Sequence, residues 1–589
     1  MTAIHWLSDI SGSFTDAADW SGGKVPGPTD DAILDAVGDD YTVTLSNAFN
    51  VVNSIQTAVN ATLELSNSTL IATSGTGPAK GGGANAGTIV ATGFENGLEI
   101  GGQFNNTGSV VFMSGTYLTP RSNVTLSGGG LVSLYDGGIV ENGSPTVLTN
   151  IDNTISGSGY IRTENAATFQ MINEGRGVID ATDKSEALDI TILGGTIVNA
   201  GLIEATQKAE LLIAGGVIDD SAGGMILAGA GSLVALGAAV IVGGVLDSHA
   251  GGAITTTNAG ITLLDGEAYA VHNKGQVVIN DGQSLEIEGA LVNSGRITMD
   301  AHGDPTLLSI QPAGVTINGG GKIEMRSRFA EITGLSQTTV LDNVDGEIVG
   351  RGQLGGRELT LENQKAGVIA GPTSGSLVID TGRQTIVNAG LIVSNGAGSV
   401  SVRSALANDG SVEADGGVLR VQGAVGGQGS AVVAGGVLDF AAFFNQAVAF
   451  DGSAGVLELA QSQAYTSSIS GFSVSGGATL NLDDIAFIGA GEASFSGTQS
   501  GGVLTVTDGT HIANINLVGD YLDSTFVASS DGAGGTNVIA QSAQAPSAAH
   551  FASAMAAITG HGVAAGLIDA RAVNEGRQMM LAAPRLAIA

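Results

Sequence analysis

The most regular residue with chemical potential in this chain is asparagine, which recurs at intervals of 20 or 25 residues through the centre of the sequence. It stands in segments such as IVNAGLIEA, LVNSGRITM and IVNAGLIVS, where an apolar residue lies two positions before it. Amides aligned on stacked coils can hydrogen-bond along the stacking axis as a ladder. The predicted ladder residues are Asn273, Asn293, Asn318, Asn343, Asn363, Asn388 and Asn408.

Two roles are open for these amides. Asparagine tolerates the left-handed backbone conformation that a sharp corner needs, and a ladder of amides stabilises stacked coils. A row of amides along the axis could instead bind a ligand. We favour the structural role.

Paired carboxylates are the second group of residues that could do chemistry. They occur at Asp219/Asp220 and at Asp483/Asp484. Glycoside hydrolysis needs two carboxyl groups that face each other about 5 to 9.5 Å apart, whereas neighbours on a strand point to opposite faces. We therefore interpret these aspartates as turn formers and solvating charge.

The remaining motifs predict no catalytic residue and no cofactor. Gly560-His561-Gly562 resembles one polygalacturonase motif, but the companion Asn-Thr-Asp and Arg-Ile-Lys segments are missing. No nucleophile elbow, phosphate loop or dinucleotide motif occurs in a strand-to-helix context. Calcium could bind exposed carboxylates, although no ligand residue can be named. The histidines show no metal-ligand spacing; they are His5, His249, His272, His302, His511, His550 and His561.

The elements that must position these residues are short strands. From residue 40 to 540, segments rich in Val, Ile, Leu and Thr alternate with Gly, Asn and Asp, and helical periodicity is absent. A repeat of 20 to 25 residues is too short for a propeller blade of about 40 residues. It fits one coil of a right-handed parallel β-helix with three strands and three turns. We predict an all-β solenoid of about 23 coils, a rod about 110 Å long.

Composition agrees with a narrow interior and an acidic exterior. The 589 residues include 93 Gly and no Cys, with 43% hydrophobic and 4% aromatic residues. These values exclude disorder caused by low hydrophobicity, a disulfide scaffold and a thiolate metal site. The net charge of −34 argues against nucleic acid or an anionic membrane surface as partner. Residues 223–246 are uncharged and long enough to span a bilayer, but they contain the repeat and are predicted to be buried coil.

The sequence changes character at both ends. Residues 1–40 hold both tryptophans, Trp6 and Trp20, and are predicted to cap the first coil of a stack that covers residues 41–494. Residues 495–542 are predicted as terminal coils or a closing module. Residues 543–589 contain 16 Ala and predict a short α-helical tail, which is either an uncleaved secretion signal or a helix that covers the last coil.

Two segments carry a family resemblance. The sequence DWSGGKVPGPTDDAILD followed by YTVTLS, within residues 15–70, resembles bacterial adhesin- or hemagglutinin-like β-solenoid surface proteins. Residues 495–541, with GGVLTVTDG, LVGDY and DGAGGT, look like the closing module of alphaproteobacterial proteins exported by type I secretion. The N-terminus has no basic region followed by an apolar one, so it does not read as a secretory signal peptide. The resemblance implies type I secretion machinery as a partner and an extracellular or bacterial cell-surface location.

Together these features predict a non-enzymatic, secreted or surface-associated solenoid that serves as a stalk, adhesin or biofilm-matrix component. Its expected partners are surface glycans, matrix or other cells; nucleic acid and a membrane span are not expected. The alternative is a glycan-active parallel β-helix, namely a polysaccharide lyase, a hydrolase or a tailspike-like depolymerase.

Overall fold

The computed structural model describes residues 2–73, 82–141, 143, 145–163 and 169–542. The chain is 60% strand and 2% helix, and its parallel coils stack into a β-solenoid of about 19 turns. The predicted fold class is therefore confirmed. The turn number is below the expected 23, because many coils carry extra corner residues and the last segment does not coil. The predicted helical tail, residues 543–589, lies outside the described residues.

The strands are numbered in chain order. Strands β1 to β19 are Thr2–His5, Gly12–Ser13, Asp30–Leu34, Tyr41–Ser46, Phe49–Val52, Ser54–Thr57, Ala61–Ser66, Thr69–Thr73, Gly83–Asn85, Thr88–Thr92, Asn96–Asn106, Ser109–Phe112, Thr116–Ser127, Leu131–Val140, Thr146–Asn150, Thr154–Arg162, Phe169–Asn173, Val178–Ala181 and Leu188–Thr191. Strands β20 to β38 are Thr196–Asn199, Leu202–Ala205, Glu210–Ala214, Val217–Asp219, Met225–Ala228, Leu233–Gly237, Val240–Val242, Val245–Ser248, Ala253–Thr256, Thr262–Asn273, Gln276–Asn280, Ser284–Asn293, Arg296–Asp300, Thr306–Asn318, Lys322–Gly334, Val340–Asn343, Glu347–Gly355, Thr360–Asn363 and Val368–Ala370. Strands β39 to β57 are Ser376–Ile379, Ile386–Asn388, Leu391–Asn395, Ser399–Val402, Leu406–Asn408, Ser411–Asp415, Val418–Val421, Val425–Gly426, Ser430–Ala434, Val437–Phe440, Ala447–Phe450, Gly455–Leu459, Ser468–Ser470, Ala478–Leu482, Ala493–Thr498, Gly501–Thr507, Ile512–Val518, Ser524–Ser530 and Thr536–Ser542. In the described part of the chain, three short 3₁₀ helices are Ala17–Asp19, Ser21–Gly23 and Ser462–Ala464.

Each coil contributes one strand to each of three parallel sheets. Strand β17 pairs with β20, β20 with β23, and β23 with β26, always in parallel. The series β18, β21, β24 and the series β19, β22, β25 form the other two sides in the same way. In longer strands such as β29, one strand bends round a corner and pairs on two sides. The three sheets therefore enclose one continuous interior.

The interior is filled by columns of aliphatic side chains. Ile197, Ile218, Ile241 and Leu264 lie on successive coils in direct register, and each is at most 1% exposed. Alternate residues on the same strands point outward because side chains on a strand alternate between its two faces. Burial of these columns supplies the main driving force for stacking.

The uncharged stretch 223–246 belongs to this stack. Its residues lie in strands β24, β25, β26 and β27, each of which pairs in parallel with a neighbouring coil. Among the described residues, no helix is long and apolar enough to cross a membrane. The prediction of buried coil for this stretch holds.

An aromatic cluster lies at the start of the stack. The rings of Trp6 and Trp20 meet edge to face with centroids 5.1 Å apart, and the indole Nε1 of Trp20 donates to the carbonyl oxygen of Phe14 at 2.7 Å. Both tryptophans are buried. Parallel pairing already begins within residues 1–40, where Thr2–His5 lies beside Asp30–Leu34. The predicted cap and the first coil therefore overlap.

The far end closes with antiparallel strands. Strands β53, β54 and β55 form an antiparallel meander, and β57 pairs antiparallel with β52 of the last coil. Residues 495–542 therefore combine antiparallel strands with one parallel pairing, since β55 lies parallel to β51 of the coil stack. Because β57 covers the edge of β52, that edge is not free to pair with a further parallel coil.

Candidate functional site

The asparagine ladder lies inside one corner of the stack. The Nδ2 of Asn343 donates to Oδ1 of Asn363 at 2.8 Å, Asn363 donates to Asn388 at 2.8 Å, and Asn388 donates to Asn408 at 2.7 Å. Asn408 in turn donates to Oε1 of Gln446 at 2.8 Å. The four asparagines are fully buried. The amides are therefore inaccessible to a ligand outside the coil, in keeping with the structural role.

Each ladder amide also closes its own corner. The second Nδ2 proton of Asn363 points to the carbonyl oxygen of Gly367 at 3.1 Å, and the backbone oxygen of Asn363 accepts from the N–H of Ala389 on the next coil at 2.8 Å. None of the ladder asparagines has a positive φ. The left-handed conformation expected for them is wrong, and hydrogen bonding alone explains the residue type at this corner.

Asn318 does not join the ladder. On the preceding coil, Asn318 pairs with Val292 and not with the ladder residue Asn293. On the following coil, the ladder residue Asn343 pairs with Ile317. Ile317 therefore occupies the ladder position of this coil. Asn318 is only half-buried. Asn273 and Asn293 are joined at 2.7 Å, and the ladder is interrupted after them. The spacing of 25 residues is preserved, but an irregular corner shifts the side chain by one position.

A second run of the ladder lies in the N-terminal half and was not included in the predicted set. Asn85 donates to Asn106 at 2.8 Å, and Asn173 donates to Asn199 at 2.8 Å. Asn199 then donates to Oδ1 of Asp220 at 2.7 Å. The intervals of 20 to 26 residues between these asparagines are present in the sequence. The aspartate in a ladder position could not be recognised, because its segment follows the Gly-Gly pattern instead.

Asp220 is a buried carboxylate at a ladder position of the coil stack. It is 0% exposed, and its Oδ2 has no hydrogen-bond partner among the described residues. Burial raises its pKa to about 7, partly opposed by the hydrogen bond from Asn199, and the neighbouring Asp219 raises it further. Asp219 itself is half-buried and points the other way. The predicted Asp219/Asp220 pair is therefore divided between the inside and the outside of one strand.

The pair Asp483/Asp484 is divided in a similar way. Asp484 accepts hydrogen bonds from the backbone N–H groups of Ser462 at 3.1 Å and Gln463 at 3.2 Å, which is the role of a turn former. Asp483 is the more exposed of the two, and partial desolvation of its carboxyl group, together with the charges of Asp531 and Asp484, raises its pKa. The interpretation of Asp484 as a turn residue agrees with these contacts.

Glu458 is a carboxyl group with a raised pKa that sequence reasoning missed. Burial raises its pKa to about 7, and the charges of Asp439 and Asp483 add to the effect. On the adjacent strand, Asp439 is nearly buried and lies 3.3 Å from Nε of Arg420. Strand register brings Glu458 next to Asp439 across the sheet. The carboxyl groups come from different coils, so no spacing along the chain indicates them.

One group of carboxylates could contact a single cation. Asp265, Glu267 and Glu288 each offer an oxygen, and the three oxygens lie within 4.8 Å of one another. Repulsion by Asp265 and Glu267 adds to burial in raising the pKa of Glu288. Three oxygens are fewer than the six to eight that calcium prefers. The group arises because Asp265 and Glu288 occupy matching positions on neighbouring coils.

The histidines are not brought together among the described residues. His5 lies 3.0 Å from Asp35 near the N-terminus, and His511 lies 2.8 Å from Asp508 in the closing module. The hydrogen bonds from His511 lower the pKa of Asp508 well below its ordinary value. His550 and His561 lie outside the described residues. The Gly560-His561-Gly562 motif lies outside them as well.

No family model, curated protein or solved structure matches this chain. Its class is therefore set by its own geometry: a parallel β-solenoid with a buried amide ladder and an acidic surface. The likeness to adhesins and to type I secreted proteins stays a prediction from the sequence.

Proposed function

We propose that this chain is a secreted or cell-surface β-solenoid that acts as a structural and adhesive rod, as a stalk, adhesin or biofilm-matrix component. The observation that supports the proposal is the series of stacked parallel coils, which at about 19 turns and about 4.8 Å per turn gives a stack about 90 Å long. A rod of this kind holds its outer faces at fixed positions along its length. Such faces suit repeated contact with glycans, matrix or other cells.

Stiffness follows from the contacts inside the stack. Aliphatic columns such as Ile197, Ile218 and Ile241 run between coils, and the ladder of buried amides runs parallel to them. Bending the rod would separate both sets of contacts. This is the physical property that a stalk requires.

Export through type I secretion machinery is part of the proposal. A chain that lacks residues 543–589 is expected to remain inside the producing cell, whereas the full chain reaches the envelope or the medium. Immunodetection of both chains in cytosol, envelope and medium measures this. Undiminished export of the shortened chain would contradict the secretion proposal, and a full chain confined to the cytosol would contradict the extracellular function.

A glycan-active β-helix is the second candidate, and Glu458 is the observation that favours it. A carboxyl group with a pKa of about 7 is half protonated at neutral pH and suits general acid catalysis. Incubation with a panel of acidic polysaccharides tests this candidate. New reducing ends or unsaturated products that disappear in Glu458→Gln but persist in Glu413→Gln would establish catalysis and replace the structural proposal.

A further inference from the structure

Basic side chains are concentrated in one part of this acidic chain. Eleven of the 21 lysines and arginines fall between Lys274 and Arg420. Three of these arginines line one cleft of about 910 Å³, together with an aromatic ring: Arg326, Arg328, Phe329 and Arg351. In a chain of net charge −34, this cleft is a local reversal of sign.

Unequal corner lengths form the cleft. The strand register leaves six residues, 300–305, at the corner of one coil and four residues, 326–329, on the next. The following coil has only residues 350–351 at this corner, and the coil after that again has six, 371–376. The short corner therefore lies recessed between longer ones. Arg351 is on the recessed coil, and Arg328 and Phe329 extend from the bulged corner beside it.

The arginines in the cleft differ in how their charge is balanced. Arg326 contacts Asp300 at 3.2 Å and Glu324 at 3.4 Å. No carboxylate of the described residues forms an ion pair with Arg328 or Arg351, the two other guanidinium groups of the cleft. Both side chains are exposed. The cleft therefore carries two positive charges without an internal counter-charge.

Two observations describe the positions of these unpaired guanidinium groups. The guanidinium carbon of Arg328 lies 4.6 Å from the ring centre of Phe329, and Phe329 packs against the hydrophobic core. Arg351 stands directly opposite Arg326 on the neighbouring strand. Because Arg326 already has Asp300 and Glu324 as counter-charges, Arg351 is the guanidinium group of this pair that is free to bind an anion.

We propose that this arginine cleft, formed by Arg326, Arg328, Phe329 and Arg351, binds the carboxylate groups of an acidic oligosaccharide. The guanidinium fork of arginine matches a carboxylate with two parallel hydrogen bonds. The volume of about 910 Å³ accommodates a few sugar rings, and arginines on successive coils repeat about every 4.8 Å, close to the length of one ring. The inference rests on the proposed adhesive function for its biological role and names the ligand class of that function.

A glycan suits the cleft better than nucleic acid does. Nucleic acid places phosphates along its whole length, and those beyond the cleft would face the acidic surface of a chain with net charge −34. A short carboxylated glycan places its charges inside the cleft and presents neutral hydroxyl groups elsewhere. The balance of charge therefore favours a ligand short enough to keep its carboxylates within the cleft.

Calorimetric titration of the full chain with tetragalacturonate tests the proposal. We expect saturable binding that weakens with added salt, and about tenfold weaker binding by Arg351→Ala and by Arg328→Ala, the loss of one charge-assisted contact. Arg351→Lys should lose part of the affinity because lysine lacks the planar fork. The matched control is Arg383→Ala, an exposed arginine at a different corner, which should leave the affinity within about twofold. Circular dichroism establishes that each variant is folded.

Three comparison ligands decide what the cleft recognises. Fully methyl-esterified tetragalacturonate should not bind. A heparin-derived tetrasaccharide that binds more tightly than tetragalacturonate would overturn the carboxylate assignment in favour of sulfate. A single-stranded DNA 12-mer that binds more tightly at the same arginines would overturn the glycan assignment. Equal losses in Arg351→Ala and Arg383→Ala, or no binding of tetragalacturonate at all, would overturn the site.

Retention of producing cells on a surface separates this inference from the proposed function. If cells adhere only when they make the chain, and the Arg328→Ala/Arg351→Ala chain supports adhesion equally well, the cleft inference is wrong while the adhesive function stands. If adhesion is independent of the chain, the adhesive function fails, whatever the titration shows for the cleft.

Discussion

At the scale of single residues, the buried amides determine how the coils stack. The Nδ2 of a ladder asparagine such as Asn363 donates both to its ladder neighbour Asn388 and to the carbonyl oxygen of Gly367 at its own corner. Removal of one amide leaves buried polar atoms without partners on two coils. Such groups cost more free energy than the average hydrogen bond contributes.

Asn363→Ala is expected to lower the free energy of unfolding by about 3 kcal/mol, because Oδ1 of Asn388 and Nδ2 of Asn343 lose their partner in a buried corner. Urea denaturation followed by circular dichroism measures the change. Asn318→Ala, at the half-buried position outside the ladder, is the matched control and should cost less than about 1 kcal/mol. Equal effects of the two substitutions would contradict the structural role of the ladder.

The buried carboxyl group of Asp220 makes the stability of the fold depend on pH. Its pKa in the fold is about 7, above the value of about 3.9 for an unfolded aspartate. The folded chain therefore binds the proton more tightly, and this residue stabilises the fold least when the pH is above 7. Stability is expected to fall as the pH rises through the interval from about 4 to 7.

Asp220→Asn is expected to raise the free energy of unfolding at pH 8 by about 2 kcal/mol. The new amide can donate to the carbonyl of Gly224, as Asn173 does to Gly177 at 3.1 Å. At pH 5 the gain should shrink, since the protonated carboxyl already supplies a donor. Thermal melting at both pH values measures it, with the outward-facing Asp219→Asn as control. A gain of the same size at pH 5 and pH 8 would show that charge is not the cause.

At the scale of elements, the corners of the coils differ from one another more than the strands do. Strands of neighbouring coils are nearly interchangeable, whereas corner lengths of two, four or six residues determine where the arginine cleft forms. Register shifts at corners also displace Asn318 from the ladder. Tight corners in turn limit the size of the residues that fit between coils.

Gly390→Ala tests this limit on corner packing. A Cβ atom there would lie 2.2 Å from the carbonyl oxygen of Gly367 and 2.4 Å from that of Gln364, so the backbone of two coils must shift. We expect a loss of about 2 kcal/mol of unfolding free energy, the usual cost of overpacking. Gly426→Ala, where no atom lies within 4 Å of the added Cβ, should be neutral or slightly stabilising. Scanning calorimetry of both variants checks the contrast; equal melting temperatures would refute it.

At the scale of the whole molecule, closed ends and surface charge act together against association. The aromatic cluster around Trp20 lies at the first coil, and antiparallel strands close the last. An open solenoid edge would pair with another chain. The net charge of −34 adds repulsion between molecules.

Association should therefore depend on pH near the isoelectric point of about 4.2. We expect monomers at pH 8 and reversible self-association near pH 4.2, where the net charge vanishes. Static light scattering across this range measures the average mass. High salt at pH 8 is the control, because screening without neutralisation should cause less association. A constant mass from pH 8 to pH 4.2 would mean that the closed ends alone prevent association, without a contribution from net charge.

Much of the fold could be predicted from the sequence. The recurrence of asparagine at 20 or 25 residues, the short β-branched segments and the absence of helical periodicity specify parallel coils, because each coil repeats the same local chemistry. The joined ladder residues Asn343, Asn363, Asn388 and Asn408 follow from that period. Because the repeat consists of residues close together in the chain, it can be found from the sequence alone.

The tertiary structure decided everything that depends on register between coils. Asn318 leaves the ladder because the alignment at its corner shifts by one position. Asp220 enters it because strand register places it beside Asn199. Glu458 meets Asp439, and Arg351 meets Arg326, only when coils about 20 residues apart are stacked in a particular register. The sequence determined the period and the class of fold. Corner geometry determined which side chains face each other, since a shift of one residue turns every side chain to the opposite face.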